Sequence, residues 1–337
     1  SLESELRQQP AADLTLLCGN EDTLFYTGAV GDYSHRYDEI WRWDRSTGEK
    51  KRVASYKPLS SFLTEDTFFY TTLDTLHAMP LNGGETLSIQ FASGDDPDWP
   101  AQHTILTANE KEVRLAYRKT KNLGAELDQT VTLYQIDLSS KKAKELGTLT
   151  APSTDDLYFQ CDGQQIYANT WNQRYVYQWD GTQTQTMSGD IKTSFYRNQN
   201  GPSLPTLRQN TFLYKDRFYY VDVNGNLASC KKDGTDKKEL LSIAGAEDEG
   251  ELQLMEDTLF YTTSLQDAPY PLYGFSLTQE KATQWVASTN GSAFLATPQG
   301  VFVIKLGKVA SDKNIVSLYE SPGASPISLD LFSFIET

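Results

Sequence analysis

Histidine, cysteine and methionine each occur only three times in this chain of 337 residues, and no apolar run approaches the roughly eighteen residues of a membrane-spanning helix. Each scarcity excludes something. His35, His77 and His103 stand far apart, and none falls in an HExxH spacing that could seat a catalytic zinc. There is no GxSxG nucleophile elbow and no Ser, His and acid order that singles itself out, which argues against a serine hydrolase site within the chain. The phosphate-cradling patterns GxGxxG and GxxxxGK are missing as well. Three cysteines cannot all pair in one chain, and Cys18 and Cys161 recur at the same position of two different repeats, so free, buried thiols are expected. Cations are scarce too: 30 Lys and Arg against 45 Asp and Glu leave a net charge of -15, which repels phosphodiester backbones and anionic headgroups. Nucleic acid and direct bilayer insertion are therefore not expected.

Tyrosine and phenylalanine, by contrast, are abundant at 19 and 15 copies, and flat aromatics with few methionines favour packed strands over helices. Self-similarity then fixes the reading. Residues 21–28 are EDTLFYTG, residues 65–72 EDTFFYTT and residues 256–263 EDTLFYTT. Weaker relatives fall between them at 112–117, 165–170, 217–222 and 300–305, giving the 40- to 53-residue spacing of a propeller blade. Each segment is preceded by a short apolar stretch, such as LTLLCG at 14–19, and followed by an alternating one, such as EIWRWD at 39–44. A turn of the STGE, NGGE or DGT kind and a last short strand complete a four-stranded antiparallel meander. A lone sheet of this size buries too little, whereas stacked sheets cover one another. The expected fold is all-β: a β-propeller of about seven four-stranded blades, with six or eight as alternatives and a β-sandwich as the competing architecture. Residues 1–12 read as a polar N-terminal tether and 13–337 as a single propeller domain. PISLDLFSF at 326–334 supplies either the outer strand of the last blade or a closing strand against the first.

The FYT strand, the LY-x-x-x-L strand after it and a DGT turn, as in KKDGTDKKELLS at 231–242, resemble a group of uncharacterised bacterial propeller repeats similar to the YWTD propellers of the low-density-lipoprotein receptor. The resemblance covers nearly the whole chain, although the YWTD tetrad itself is absent. It implies an exported or surface-tethered bacterial protein, secreted or lipoprotein-like. The chain opens at Ser1, which leaves a removed signal peptide or anchor open.

Connections between first and second strands, and between third and fourth, read as uniformly short. The long ones run from second to third strand or from blade to blade: 28–38, 91–103, 118–129, 170–175, 191–207 and 264–271. Long loops on a rigid scaffold carry binding residues. The candidates on that face are Tyr33, His35, Arg36, Tyr37, Trp99, Trp171, Arg174, Tyr196, Arg197 and Tyr270, a mixture of aromatic platforms and forked donors suited to protein or glycan contacts. Trp41, Trp43, Trp179 and Trp285 lie within strands and belong to the core. Asp95, Asp96 and Asp98 in SGDDPDWP could offer oxygen ligands to calcium, the one cofactor considered; DVNGN at 222–226 lacks the glycine and distal glutamate of a calcium loop and reads as a hairpin turn. The expectation is thus a monomeric, non-catalytic module binding a protein or glycan through its long loops. A carbohydrate-active enzyme with carboxylates converging from different blades, and a structural platform in an envelope complex, are the alternatives.

Overall fold

The computed structural model describes residues 13–31, 36–124, 126–152, 157–170, 173–191, 211–243, 250–263, 270–289, 293–305 and 315–331. They form seven four-stranded antiparallel sheets, each drawn from one unbroken run of chain. Among the described residues there is no α-helix, and no helix is long and apolar enough to cross a membrane. The expected blade count and strand order are met. Two compact units divide the sheets: blades 1, 6 and 7 belong to one, blades 2 to 5 to the other.

The repeated octamer owes its composition to its place in the blade. Its Leu-Phe-Tyr or Phe-Phe-Tyr core is buried without alternation, as in Phe68, Phe69 and Tyr70, because sheets cover both faces of an inner strand. Fourth strands, such as Gln183–Ser188, are largely exposed and polar. The aspartate of the octamer has a separate task. The carbonyls of Asp22, Asp66 and Asp257 accept the backbone N–H groups of Arg45, Leu81 and Leu277 at 2.7, 2.9 and 2.8 Å. Each bond ties the first-to-second turn of a blade to the end of its third strand, so the short turns share one end of the blade, as expected.

Apolar layers lie between consecutive blades within each unit. Blades 2 and 3 enclose Phe69, Leu76, Phe91, Ile105, Leu115 and Tyr117, while blades 3 and 4 enclose Leu133, Leu149, Phe159 and Tyr177. Burial at about 25 cal/mol per Å² makes each such aromatic worth roughly 1.5–3 kcal/mol, an upper estimate because the unfolded chain is not fully extended. Gly147 and Gly181 allow the backbones of blades 3 and 4 to meet: a Cβ on Gly147 would fall 1.9 Å from the Asp180 carbonyl oxygen, and one on Gly181 2.1 Å from that of Thr148.

Blade 7 supplies its own outer strand, Ile327–Leu329, the first of the two alternatives for this segment. Side chains join this blade to blade 1. Gln299 Nε2 donates to the carbonyls of Asn20 at 2.9 Å and Thr23 at 3.3 Å, Lys50 Nζ donates to that of Asp330 at 3.0 Å, and Arg45 pairs with Glu320. None of the three cysteines is in a disulfide, but only Cys230 is buried; Cys18 and Cys161 are half-buried, because they end first strands near the short turns. Trp41 and Trp43 are core residues as expected, whereas Trp179 and Trp285 are half-buried toward the outer part of their sheets.

Candidate functional site

The long connection from blade 2 to blade 3 begins where Phe91 N–H donates to the carbonyl of Asp74 at 2.9 Å. Gly94, at φ +80°, then turns the chain into a conformation that an L side chain resists. Asp95 folds the loop back on itself: its Oδ1 accepts the backbone N–H of Ala101 at 2.9 Å and of Asp96 at 3.1 Å. Asp96 Oδ1 accepts from Asp98 N–H at 2.9 Å. Of the aspartates considered for calcium, Asp95 and Asp96 thus each turn one carboxylate oxygen onto the loop's own backbone, and among the described residues no three His, Cys, Asp or Glu side chains gather as a metal site.

The loop delivers the chain into the first strand of blade 3, Gln102–Ala108, where His103 stands opposite Tyr117 of the second strand, Glu112–Arg118. Both face the layer between blades 2 and 3. The His103 ring meets Tyr117 edge-on at 5.2 Å and Phe91 at 5.7 Å. Asp95 Oδ2 lies 3.6 Å from His103 Nε2, and these side chains are 3% and 0% exposed. No hydrogen-bond partner among the described residues reaches Asp95 Oδ2, either ring nitrogen of His103, or the Tyr117 hydroxyl. An unmade bond at a buried polar atom costs about 1–3 kcal/mol, a cost that the approach of Asp95 Oδ2 to His103 Nε2 at 3.6 Å offsets only in part. Burial pushes the His103 pKa below its ordinary 6.5, against the opposing pull of Asp95 and Asp74, and so favours the neutral ring. Burial, reinforced by the charges of Asp95 and Asp74, raises the Tyr117 pKa and keeps the phenol protonated.

Tyr117 and Phe91 also form part of a pocket of about 700 Å³. Tyr134 completes an aromatic wall, with ring centroids 5.4 Å from Phe91 and 6.1 Å from Tyr117. Asp128 and Glu145 contribute carboxylates, Lys119 an ammonium, and Thr130 and Thr132 hydroxyls. Burial and the Glu145 charge both raise the Tyr134 pKa. At one end of the pocket, the second-to-third connection of blade 3 forms a small ribbon, Thr120–Lys121 paired with Glu126–Leu127. Thr120 Oγ1 donates to the Trp99 carbonyl at 2.7 Å, so two of the long connections are joined. Trp99 is 45% exposed there, and Leu123, held at φ 57°, is 79% exposed.

Among the described residues expected to bind, Trp99 is the one tied to the connection at this end of the pocket, through Thr120. Arg174 is a core residue, because its guanidinium lies 4.0 Å over the Phe218 ring and its Nε donates to Asn169 Oδ1 at 2.7 Å. Arg36 and Tyr37 belong to the third strand of blade 1, opposite Gly31 and Val30, because the hairpin ladder runs further than the loop reading at 28–38 allowed. Tyr270 is half-buried in the other unit, where its carbonyl accepts the N–H and hydroxyl of Thr289 at 2.9 and 2.8 Å. Tyr33, His35, Trp171, Tyr196 and Arg197 lie outside the described residues. The site residues not anticipated are His103, Phe91, Tyr117, Tyr134, Asp128 and Glu145. One signal could have found the first: a histidine at an inward position of the otherwise apolar strand face that continues through Ile105.

No protein-family model and no curated protein sequence matches the chain. Solved structures do. An acylaminoacyl peptidase in complex with Z-Gly-Gly-Phe-chloromethyl ketone aligns over 98% of this chain and 54% of its own, with a TM-score of 0.59 at 8% identity. The acylaminoacyl peptidase of Pyrococcus horikoshii aligns over 97% and 54%, at 0.59 and 10%. The β-propeller domain of the Trilobed protease from Pyrococcus furiosus aligns over 96% and 97%, at 0.56 and 10%. The fold is a seven-bladed β-propeller, and at these identities the likeness carries the fold alone. The chain spans about half the length of the two acylaminoacyl peptidases, 54% of each. The neighbours bear out the propeller part of the expected resemblance. The same neighbours run against the reading as an exported protein- or glycan-binding module, with its carbohydrate-enzyme and platform alternatives, since they are peptidases and a protease propeller; at these identities they assign no role in its place.

Proposed function

We propose that this chain is a substrate-selecting propeller of the peptidase-associated kind, whose pocket between blades 2 and 3 holds a short peptide for a hydrolase. The pocket carries the reading. It sets an aromatic wall of Phe91, Tyr117 and Tyr134 beside the carboxylates of Asp128 and Glu145 and the hydroxyls of Thr130 and Thr132. An extended peptide offers what such a wall accepts: backbone N–H groups for the acidic and hydroxyl oxygens, and side chains that stack on rings. Trp99 adds an exposed aromatic at the joined loops. The peptidase neighbours support the same direction. Since the chain has no GxSxG elbow, peptide hydrolysis is assigned to a separate domain or partner protein.

Titration of short peptides of mixed sequence into the purified chain, followed by calorimetry, tests this. Binding is expected with a Kd tighter than about 1 mM, corresponding to roughly 4 kcal/mol. Glu145→Gln and Tyr134→Ala should each weaken it about three- to tenfold. Peptides that fail to bind at that concentration, or bind both variants as well as the wild type, would overturn the proposal.

A further inference from the structure

Resting on the peptide reading, we infer that the Asp95–His103–Tyr117 cluster behind the pocket wall is a primary-ammonium site, which grips the substrate by a free α-amino terminus or a lysine side chain. The unpartnered atoms define the guest. Asp95 Oδ2 only accepts hydrogen bonds, neutral imidazole has one accepting and one donating nitrogen, and the Tyr117 oxygen does both. Acceptor capacity therefore exceeds donor capacity, and the cluster calls for a guest rich in donors. A primary ammonium brings three donors and no acceptor. It also brings the positive charge that Asp95 lacks, since the cationic partner closest to this carboxylate is an imidazole that burial disfavours from charging. Water would supply as many acceptors as donors and no charge. Among the described residues no three His, Cys, Asp or Glu side chains gather to hold a metal ion.

The surroundings favour the same guest. Asp128 and Glu145 outnumber Lys119 among the charged residues of the lining, and with Lys121 paired to Asp128 at 3.5 Å it is Glu145 that favours a cation over a carboxylate at the approach. The rings of Phe91 and Tyr117 belong to both pocket and cluster, and ring faces attract a desolvated ammonium. Tyr117 links pocket and cluster, because its side chain lines the pocket while its buried hydroxyl has no partner.

The experiment compares four probes by calorimetry: trialanine amide with a free amino terminus, its N-acetylated twin, N-acetyl-Ala-Lys-Ala-amide, and n-butylammonium chloride. The wild type should prefer the free-amine peptide to its acetylated twin by about tenfold. The lysine peptide separates the two sources of ammonium, since recovery of affinity there identifies a side-chain amine and its absence an amino terminus. Asp95→Asn should reduce the preference to about threefold or less. Tyr117→Phe removes a hydroxyl that bonds to nothing in the protein, so it should leave folding intact while cutting the preference. A purely structural role for Tyr117 would leave the preference untouched. Peptide binding that ignores acetylation and contains no lysine preference, or full discrimination in Tyr117→Phe, overturns the inference while sparing the peptide reading. If no peptide binds, that reading falls, and n-butylammonium decides the remainder: perturbation of the His103 ring resonances in the wild type but not in Asp95→Asn upholds the ammonium site, and silence removes it.

Discussion

His103 Nε2 and Asp95 Oδ2 stand 3.6 Å apart, both buried and just beyond ordinary hydrogen-bonding distance of one another. A histidine this close to a carboxylate would ordinarily be expected to charge. Here the loss of solvent outweighs the carboxylate, and the pKa falls below 6.5. The pair is thus held in a state that either a proton or a cationic guest would change.

The first prediction concerns acidity. The groups facing His103 are Asp95 from the loop, Asp74 from the second-to-third turn of blade 2 and Tyr117 from blade 3. An unfolded imidazole titrates near 6.5, and the folded one below it. Between those values the unfolded chain binds more protons, so stability fully present above 6.5 declines as the pH falls toward the folded pKa. His77, whose pKa burial also lowers, contributes with the same sign. Calorimetric melting temperatures should therefore drop on acidification below neutrality, and less so in His103→Gln. An unchanged pH dependence in that variant would refute the assignment to His103.

The second concerns the meeting of blades 3 and 4. A methyl group on Gly147 would overlap the Asp180 carbonyl, and Gly181 combines a similar overlap at Thr148 with φ +90°. Gly147→Ala and Gly181→Ala should each lower unfolding free energy by about 2–3 kcal/mol in urea titrations. Because both disturb one backbone contact, the double variant should lose less than the sum.

The third separates Arg174 from the pocket. Truncating its guanidinium removes the bond to Asn169 and the contact over Phe218. Arg174→Ala should destabilise by about 2–4 kcal/mol, since it removes a charge-assisted bond to Asn169 and empties the space over Phe218. Peptide affinity measured well below the melting temperature should stay within about twofold. A selective loss of affinity without loss of stability would return Arg174 to the binding surface.

The repeat made the architecture legible. EDTLFYTG and its copies encode both a doubly covered inner strand and the aspartate carbonyl that latches the blade end, and each property needs only neighbours within a few dozen residues. The face carrying the long connections was legible in part, through loops 91–103 and 118–129, which meet at Thr120 and Trp99. The site itself was not. His103 lies next to Phe91 and Asp95 only because Asp95 folds the intervening loop, and Tyr134 joins them across two further strands. Arg174 misled for the converse reason: a charged residue beside a loop looks exposed until the neighbouring blade places Phe218 beneath it.

Blades 1 and 7 exchange no strand, being joined by Gln299, Lys50 and the Arg45–Glu320 pair. Among the described residues, no ladder of the four-stranded sheets passes from one blade to another. Every blade is therefore a self-contained cassette, and recombination could duplicate, delete or reorder one without asking two distant stretches of gene to change together.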